Sequence, residues 1–148
     1  MKTITTTIEI NATPKEVWDV ITDFPTHADW NPFFARVEGQ PAVGEQLKVV
    51  ARKGDGEGMS FSPKVLEVES GRILRWKGKL FVSGIFDGEH IFELTDLGNG
   101  ITRLDHRENF SGVLIPFMGK MLAETREGFI AFNDALAGEV TARREVDF

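Results

Sequence analysis

The chain contains no cysteine and no tyrosine among its 148 residues, and it has no long apolar segment. The missing cysteine excludes disulfides, thiolate metal ligands and a thiol nucleophile. Without tyrosine, any acid–base chemistry must use His, Asp, Glu, Lys or Arg side chains. The longest apolar run, residues 113–118, includes Pro116 and is far shorter than the roughly 18 residues of a membrane-spanning helix.

An excess of positive charge is also missing. The 17 Lys and Arg residues stand against 23 Asp and Glu residues, and the net charge is −6. This balance argues against nucleic acid as the main partner, because phosphate binding requires a basic surface. The N-terminal segment MKTITTTIEI alternates polar and apolar residues, unlike a signal or transit peptide. We therefore expect one domain over residues 1–148 and a cytoplasmic location.

Apolar periodicity divides the chain into strands and helices. Residues 4–10 alternate, which predicts a first strand. Thr13, Pro14 and Glu16 form a capping box with a proline at the first helical position, which predicts a short helix that ends before Pro25. The HADWNP segment that follows is expected to be a helical turn or a loop. Six further strands are then predicted at residues 34–39, 45–53, 60–69, 72–80, 85–96 and 101–111.

Residues 116–138 are predicted to form one long amphipathic helix. A stripe about 120° wide, at roughly 100° per residue, collects most of its apolar side chains, while the opposite face is mostly polar. Such a stripe must be buried against the strands, and a long helix held by a curved antiparallel sheet often leaves a hollow. The sequence therefore predicts an α+β fold with a cavity. The stripe consists of Met118, Met121, Leu122, Thr125, Phe129, Phe132, Asn133 and Leu136.

The order of elements resembles the START/Bet v 1-like (SRPBCC) superfamily. The resemblance is carried by Trp30-Asn31-Pro32, by RILRW at 72–76, by GEHIFEL at 88–94 and by SGVLIP at 111–116. These segments are similar to the bacterial polyketide cyclase/dehydrase and lipid transport branch. The resemblance implies a helix-grip fold, in which a seven-stranded antiparallel sheet wraps around the C-terminal helix over a hydrophobic pocket. It leaves the chemistry open, since members include carriers, cyclases, hormone receptors and chaperone cofactors.

Three polar residues are predicted on the inward face of the last two strands. A period of two places His90 on the apolar face of residues 85–96, and places His106 and Glu108 on the apolar face of residues 101–111. A three-residue loop would set His90 opposite Glu108, and a five-residue loop would set it opposite His106. Either register brings the three side chains together.

Four roles are open to His90, His106 and Glu108. They can satisfy one another as buried polar groups, or they can orient a ligand in an apolar pocket. Either histidine can act as a general base that Glu108 orients. Two histidines and a carboxylate also fit a metal site, but nothing in the spacing selects a metal, so we predict no metal and no cofactor.

We therefore predict a protein that binds a small hydrophobic molecule, either aromatic, polyketide-like or lipid-like. The alternatives are a cyclase or dehydratase that uses His/Glu acid–base chemistry, and a protein-interaction module related to co-chaperones. Trp30, Phe33 and Phe34 either lie at the mouth of the pocket or pack under the first helix. The expected lining residues are Trp76, Phe86, His90, Phe92, His106, Glu108, Met118, Met121, Leu122, Thr125 and Phe129.

Overall fold

A computed structural model describes residues 1–80 and 83–146. Their fold is α+β, with a long C-terminal helix packed on antiparallel strands. No helix in this described part is long and apolar enough to cross a membrane. The elements are β1 (Lys2–Ile10), α1 (Pro14–Ile21), a 3₁₀ turn (Phe24–Thr26), α2 (His27–Trp30), β2 (Phe34–Glu38), β3 (Lys48–Lys53), β4 (Gly56–Phe61), β5 (Lys64–Glu69), β6 (Ile73–Leu80), β7 (Phe86–Gly98), β8 (Ile101–Ser111), a 3₁₀ turn (Ile115–Phe117) and α3 (Gly119–Val146).

The strands form two sheets, so the prediction of one seven-stranded sheet is wrong in this respect. One sheet has five strands in the order β1-β8-β7-β6-β5, and the other has three in the order β2-β3-β4. The segment predicted as one strand at 60–69 is interrupted at Pro63, whose nitrogen has no hydrogen to donate to a neighbouring strand. An isolated bridge between Gln46 and Lys64 joins the segment before β3 to β5, and the backbone nitrogen of Leu47 donates to the oxygen of Pro63 beside it. The two sheets are therefore linked at this edge.

The start of α1 confirms the predicted capping box. The hydroxyl of Thr13 accepts a hydrogen bond from the backbone nitrogen of Glu16 at 3.3 Å, and Glu16 Oε1 accepts one from the backbone nitrogen of Thr13 at 2.9 Å. HADWNP contains the single turn α2, as expected. These short elements connect β1 to β2 and pack against the strands.

The helix α3 is shifted along the chain relative to the predicted 116–138. Pro116 belongs to a separate 3₁₀ turn, and α3 continues through Val146. Its last turns are held by Arg143, which donates to Glu139 at 2.9 Å and to the Thr26 hydroxyl at 3.0 Å, and lies 3.2 Å from Asp23. These partners lie outside the apolar stripe, so the stripe alone predicted too early an end.

Two groups of buried side chains lie under α3. The larger joins α1, the strands and the C-terminal half of α3, including Phe132, Leu136 and Val140. The smaller surrounds Leu122 and Phe129. The space between α3 and the two sheets near this smaller group contains the candidate site.

Candidate ligand-binding site

A cavity of about 580 Å³ lies between α3 and the two sheets. The five-stranded sheet and α3 supply one wall, which combines apolar residues with a few polar side chains, and the three-stranded sheet closes the other side. Residues from β6, β7 and β8 at the cavity are Trp76, Gly78, Lys79, Phe86, Gly88, His90, Glu108 and Phe110, and those from α3 are Met121, Glu124, Thr125 and Gly128. The remaining wall is formed by Pro32, Phe33, Phe34, Val49, Ala51, Arg52, Lys53, Gly58, Met59, Phe61 and Pro63.

Six of the predicted lining residues lie at this cavity: Trp76, Phe86, His90, Glu108, Met121 and Thr125. Their role in binding stays a prediction. The other five do not line it. Phe92, His106 and Phe129 are fully buried behind the wall, Leu122 is buried beside them, and Met118 packs at the start of α3 against the smaller core group. The face of a strand or helix therefore does not by itself predict which residues line the cavity, because the residues buried behind the wall follow the same periodicity.

The hairpin between β7 and β8 sets the register of the polar residues. His90 is opposite Glu108, and Phe92 is opposite His106, which is the register predicted for a three-residue loop. The turn uses positive φ angles at Gly98, Asn99 and Gly100, a conformation that glycine and asparagine tolerate best. A tight turn thus places the three side chains side by side.

The two histidines form a buried pair. Their Nε2 atoms are 2.6 Å apart, and both residues have almost no exposed surface. His106 stacks between Phe92 and Phe129, with ring centroids 4.7 Å and 4.0 Å away. Aromatic packing on both sides therefore fixes the plane of His106, and His90 alone of the pair reaches the cavity.

Thr6 sets the direction of a chain of hydrogen bonds behind the cavity wall. Its hydroxyl donates to the backbone oxygen of His106 at 3.0 Å, so it accepts from the amide nitrogen of Asn133 at 2.9 Å. The amide oxygen of Asn133 then faces His106 Nδ1 at 2.9 Å, and this ring nitrogen carries the hydrogen. Nε2 of neutral His106 is consequently an acceptor, and it receives its hydrogen from Nε2 of His90.

Glu108 lies beside this chain of hydrogen bonds, at the cavity. Its Oε1 is 3.6 Å from Nδ1 of His90, slightly beyond hydrogen-bond distance, and its side chain is only 16% exposed. The other oxygen, Oε2, lies over Gly88, where a Cβ atom would overlap it. The absence of a side chain at Gly88 therefore leaves room for the carboxyl group beside β7.

Burial determines the protonation of these groups. It lowers the pKa of His106 to about 3, with the Asn133 hydrogen bond acting in the opposite direction. Burial and the neighbouring His106 hold the pKa of His90 well below its usual range. Burial raises the pKa of Glu108 to about 8. At pH 7 both imidazoles are accordingly neutral, and the carboxyl group is predominantly a neutral acid.

A metal ion does not fit between the two imidazoles. The two Nε2 atoms are within hydrogen-bond distance of each other, so an ion bound to both would have to separate the rings and break their stacking. The described residues contain no cluster of three His, Cys, Asp or Glu side chains with a geometry suited to a metal.

The loop before β2 positions two aromatic residues at the cavity. The side-chain oxygen of Asn31 accepts hydrogen bonds from the backbone nitrogens of Phe33 and Phe34, at 2.8 Å and 2.9 Å. Buried His27 holds Asn31 from behind, with Asn31 Nδ2 3.0 Å from His27 Nδ1, and burial lowers the pKa of His27 to about 4. The ring of Phe33 lies directly against Gly128 of α3. Phe33 and Phe34 are therefore cavity residues, whereas Trp30 is not.

Sequence reasoning missed two parts of the site. Thr6 and Asn133 are 127 positions apart, and nothing local in either segment signals their hydrogen bond. The wall formed by the three-stranded sheet was also missed, although Met59 and Phe61 show the alternation of a strand before the break at Pro63.

Comparison with known families and structures agrees with this architecture. A family model described as polyketide cyclase/dehydrase and lipid transport matches residues 1–140. Because that match covers most of the sequence, the chain belongs to this family. Comparison with functionally curated proteins finds no match.

Three solved structures illustrate the shared fold. A START superfamily protein from Mycobacterium smegmatis is 21% identical, with a TM-score of 0.72 over 95% of this chain and 97% of that chain. The Zhui aromatase/cyclase from Streptomyces sp. R1128 is 16% identical, with a TM-score of 0.77 over 96% and 94%. Norcoclaurine synthase from Thalictrum flavum is 17% identical, with a TM-score of 0.71 over 97% and 96%. At these identities the likeness establishes the fold alone.

Proposed function

We propose that this protein binds a small hydrophobic molecule, aromatic, polyketide-like or lipid-like, in the cavity beside α3. The observation that carries the proposal is a cavity of about 580 Å³ with mainly aromatic and aliphatic walls and a buried polar end. Its volume is within the range of about 300–1,000 Å³ that is typical of small-molecule sites. Removal of apolar ligand surface from water would contribute roughly 25 cal/mol per Å², offset in part by the cost of association.

The first experiment compares a variant that fills the cavity with a matched surface variant. Ala51→Phe places a ring in the cavity wall, whereas Ala123→Phe places the same ring on the exposed face of α3. In a fluorescence titration with 2-naphthol, we expect Ala51→Phe to weaken binding by about tenfold or more and Ala123→Phe to change it by less than about twofold. Equal affinity in both variants would place the ligand elsewhere and contradict the proposal.

A second candidate function is acid–base catalysis on a carbonyl-containing substrate, such as a polyketide-type chain. It is favoured by Glu108, which reaches the cavity and has a pKa of about 8, close to neutrality. In this hypothesis Glu108 exchanges the proton, since His106 lies behind the wall and since burial holds the pKa of His90, which does reach the cavity, well below its usual range. An interaction module with a filled interior gains no support from a cavity of this size.

Turnover distinguishes the binding protein from the enzyme. If Glu108 is the general acid or base, Glu108→Gln should abolish turnover of a poly-carbonyl substrate and leave its binding within about threefold of wild type. Binding without turnover in the wild-type protein contradicts the catalytic hypothesis and leaves the binding function intact.

A further inference from the structure

We propose that the ligand carries a hydroxyl group and donates its hydrogen to the carboxyl group of Glu108, as a phenol or an alcohol does. This inference rests on the proposed binding function and specifies the chemical class of the ligand. It follows from the direction of the hydrogen bonds behind the cavity wall, which leaves only acceptors at the polar end.

The first step is the direction of the chain. Each hydrogen in it points away from the cavity: His90 donates to His106, His106 donates to Asn133, and Asn133 donates to Thr6. Thr6 fixes this direction, because its single hydrogen is directed at the backbone oxygen of His106. This chain of hydrogen bonds therefore accepts a hydrogen at its cavity end and has none there to donate to a ligand.

The second step concerns the end of the chain at the cavity. Because Nε2 of neutral His90 carries the ring hydrogen, its Nδ1 presents a lone pair. Glu108 Oε1 is the carboxyl oxygen that faces that atom, at 3.6 Å, slightly beyond hydrogen-bond distance. A carboxylic acid has a single hydrogen, and when this hydrogen is directed at His90 the remaining oxygen can only accept.

The reverse direction of these hydrogen bonds is less well satisfied. If the Asn133 amide were turned and both ring hydrogens moved to the other nitrogens, Nδ1 of His90 would donate to Glu108. As a carboxylate Glu108 would again offer only acceptors to a ligand, whereas as a neutral acid it would keep its own hydrogen for the ligand. This arrangement also removes the Thr6 hydrogen from the backbone oxygen of His106, so the first direction is the better satisfied one.

A partly buried polar group at the cavity, the hydroxyl of Thr125, behaves in the same way. The hydroxyl of Thr125 donates to the backbone oxygen of Met121 at 2.9 Å, so it too offers only lone pairs to a ligand. Arg52 directs its Nε at the backbone oxygen of Asn31 and an NH2 group at that of Ala28. Lys53, Lys79 and Glu124 are exposed at the rim. A hydroxyl group thus matches the inner end of the cavity, whereas an ether or a ketone leaves these acceptors unpaired.

The test compares two probes of the same ring system, 2-naphthol and 2-methoxynaphthalene, at pH 6.5. Only the first donates a hydrogen bond. We expect wild-type protein to bind 2-naphthol about 5- to 30-fold more tightly, as expected for one buried hydrogen bond. The ratio of the two dissociation constants is then measured in the variants, which separates hydrogen bonding from differences in probe size.

Three variants test whether Glu108 is the group that makes the protein prefer 2-naphthol. Glu108→Gln should keep it, because the amide nitrogen can donate to His90 while the amide oxygen accepts from the probe. Glu108→Leu should lower the ratio at least about threefold, and Thr125→Val, which removes the other acceptor, should preserve most of it. Equal binding of both probes to wild type, or a ratio unchanged in Glu108→Leu, overturns the inference alone. If neither probe binds to wild type, the proposed binding function fails and this inference fails with it.

Discussion

Glu108 owes its position to an absent side chain on the neighbouring strand. The carboxyl group lies over Gly88, and a methyl group there would overlap Oε2. Gly78 is directly opposite Gly88 on β6 and also lines the cavity, but among the described residues a Cβ at Gly78 would meet only Pro63, at an ordinary 3.5 Å. The two glycines therefore provide a matched pair for the role of Glu108.

We predict that Gly88→Ala moves the carboxyl group out of place while leaving its chemistry unchanged. Affinity for 2-naphthol should fall about 5- to 30-fold, the value for one lost hydrogen bond, and affinity for 2-methoxynaphthalene should change much less. Gly78→Ala is the control, with nearly wild-type selectivity between the probes. Equal loss of selectivity in both variants would mean that the cavity shape, and not Glu108, distinguishes the probes.

At the scale of single residues, the sequence predicts which side chains lie together on the sheet, but it does not predict the hydrogen-bond partners buried behind them. The face of His90 and Glu108 was predictable from a period of two, whereas the Gly-Asn-Gly turn left two registers open, and the structure has the one that pairs His90 with Glu108. Asn133 was recognised only as a polar residue in an apolar stripe. Its hydrogen bond to His106 depends on the docking of α3 against β8, which local patterns do not encode.

At the scale of elements, α3 packs tightly against the cavity wall at Gly128. Phe33 lies against Gly128 so tightly that a Cβ at this position would overlap the ring. Alanine normally stabilises a helix by about 1 kcal/mol relative to glycine, but at position 128 it must displace Phe33 or the helix. Gly138 lies later in the same helix, and a Cβ there has no neighbour within 4 Å in the described part of the chain.

We therefore predict opposite effects for two identical substitutions in α3. Gly138→Ala should raise the free energy of unfolding by up to about 1 kcal/mol through helix propensity. Gly128→Ala should lower it by about 1–3 kcal/mol because of overpacking. Urea unfolding measures both changes, and stabilisation by Gly128→Ala would show that Phe33 is not held against the helix.

The predicted boundaries of the helices and strands are wrong where a long-range contact overrides the local sequence pattern. The start of α1 was predicted correctly because its capping box involves residues only three positions apart. The end of α3 was not, because Arg143 is held by Asp23 and Thr26 near the other end of the chain. The break between β4 and β5, in contrast, does have a local signal, because Pro63 lacks the backbone N–H that a continuous strand would need.

For the whole molecule, the buried titratable groups predict a maximum of stability close to pH 6.5. The lowered pKa values of His27, His90 and His106 mean that their neutral forms stabilise the fold above about pH 6.5, and that this contribution is lost as pH falls. The raised pKa of Glu108 acts in the opposite sense, since its contribution is complete below about 4.5 and is lost as pH rises through about 8. The pKa values of the surface groups with shifts lie outside the range from pH 4.5 to 8, because those of Glu16 and Glu69 are lowered and those of Lys15 and Arg72 are raised.

Among the described residues, Glu108 is the group whose shifted pKa accounts for the decline between pH 6.5 and 8. Between pH 6.5 and 8 the native protein retains a proton on Glu108 that the unfolded chain has lost, so the free energy of unfolding should fall by up to about 1.4 kcal/mol per pH unit. Glu108→Gln carries no titratable group and should make this part of the profile flat, while the histidines preserve the decline below pH 6.5. Urea unfolding of both proteins at pH 5.5, 6.5 and 8 measures the difference. The same alkaline decline in both proteins would mean that the Glu108 carboxyl group is already ionised in the native state near pH 6.5, because a buried acid that keeps its proton must lose it on unfolding.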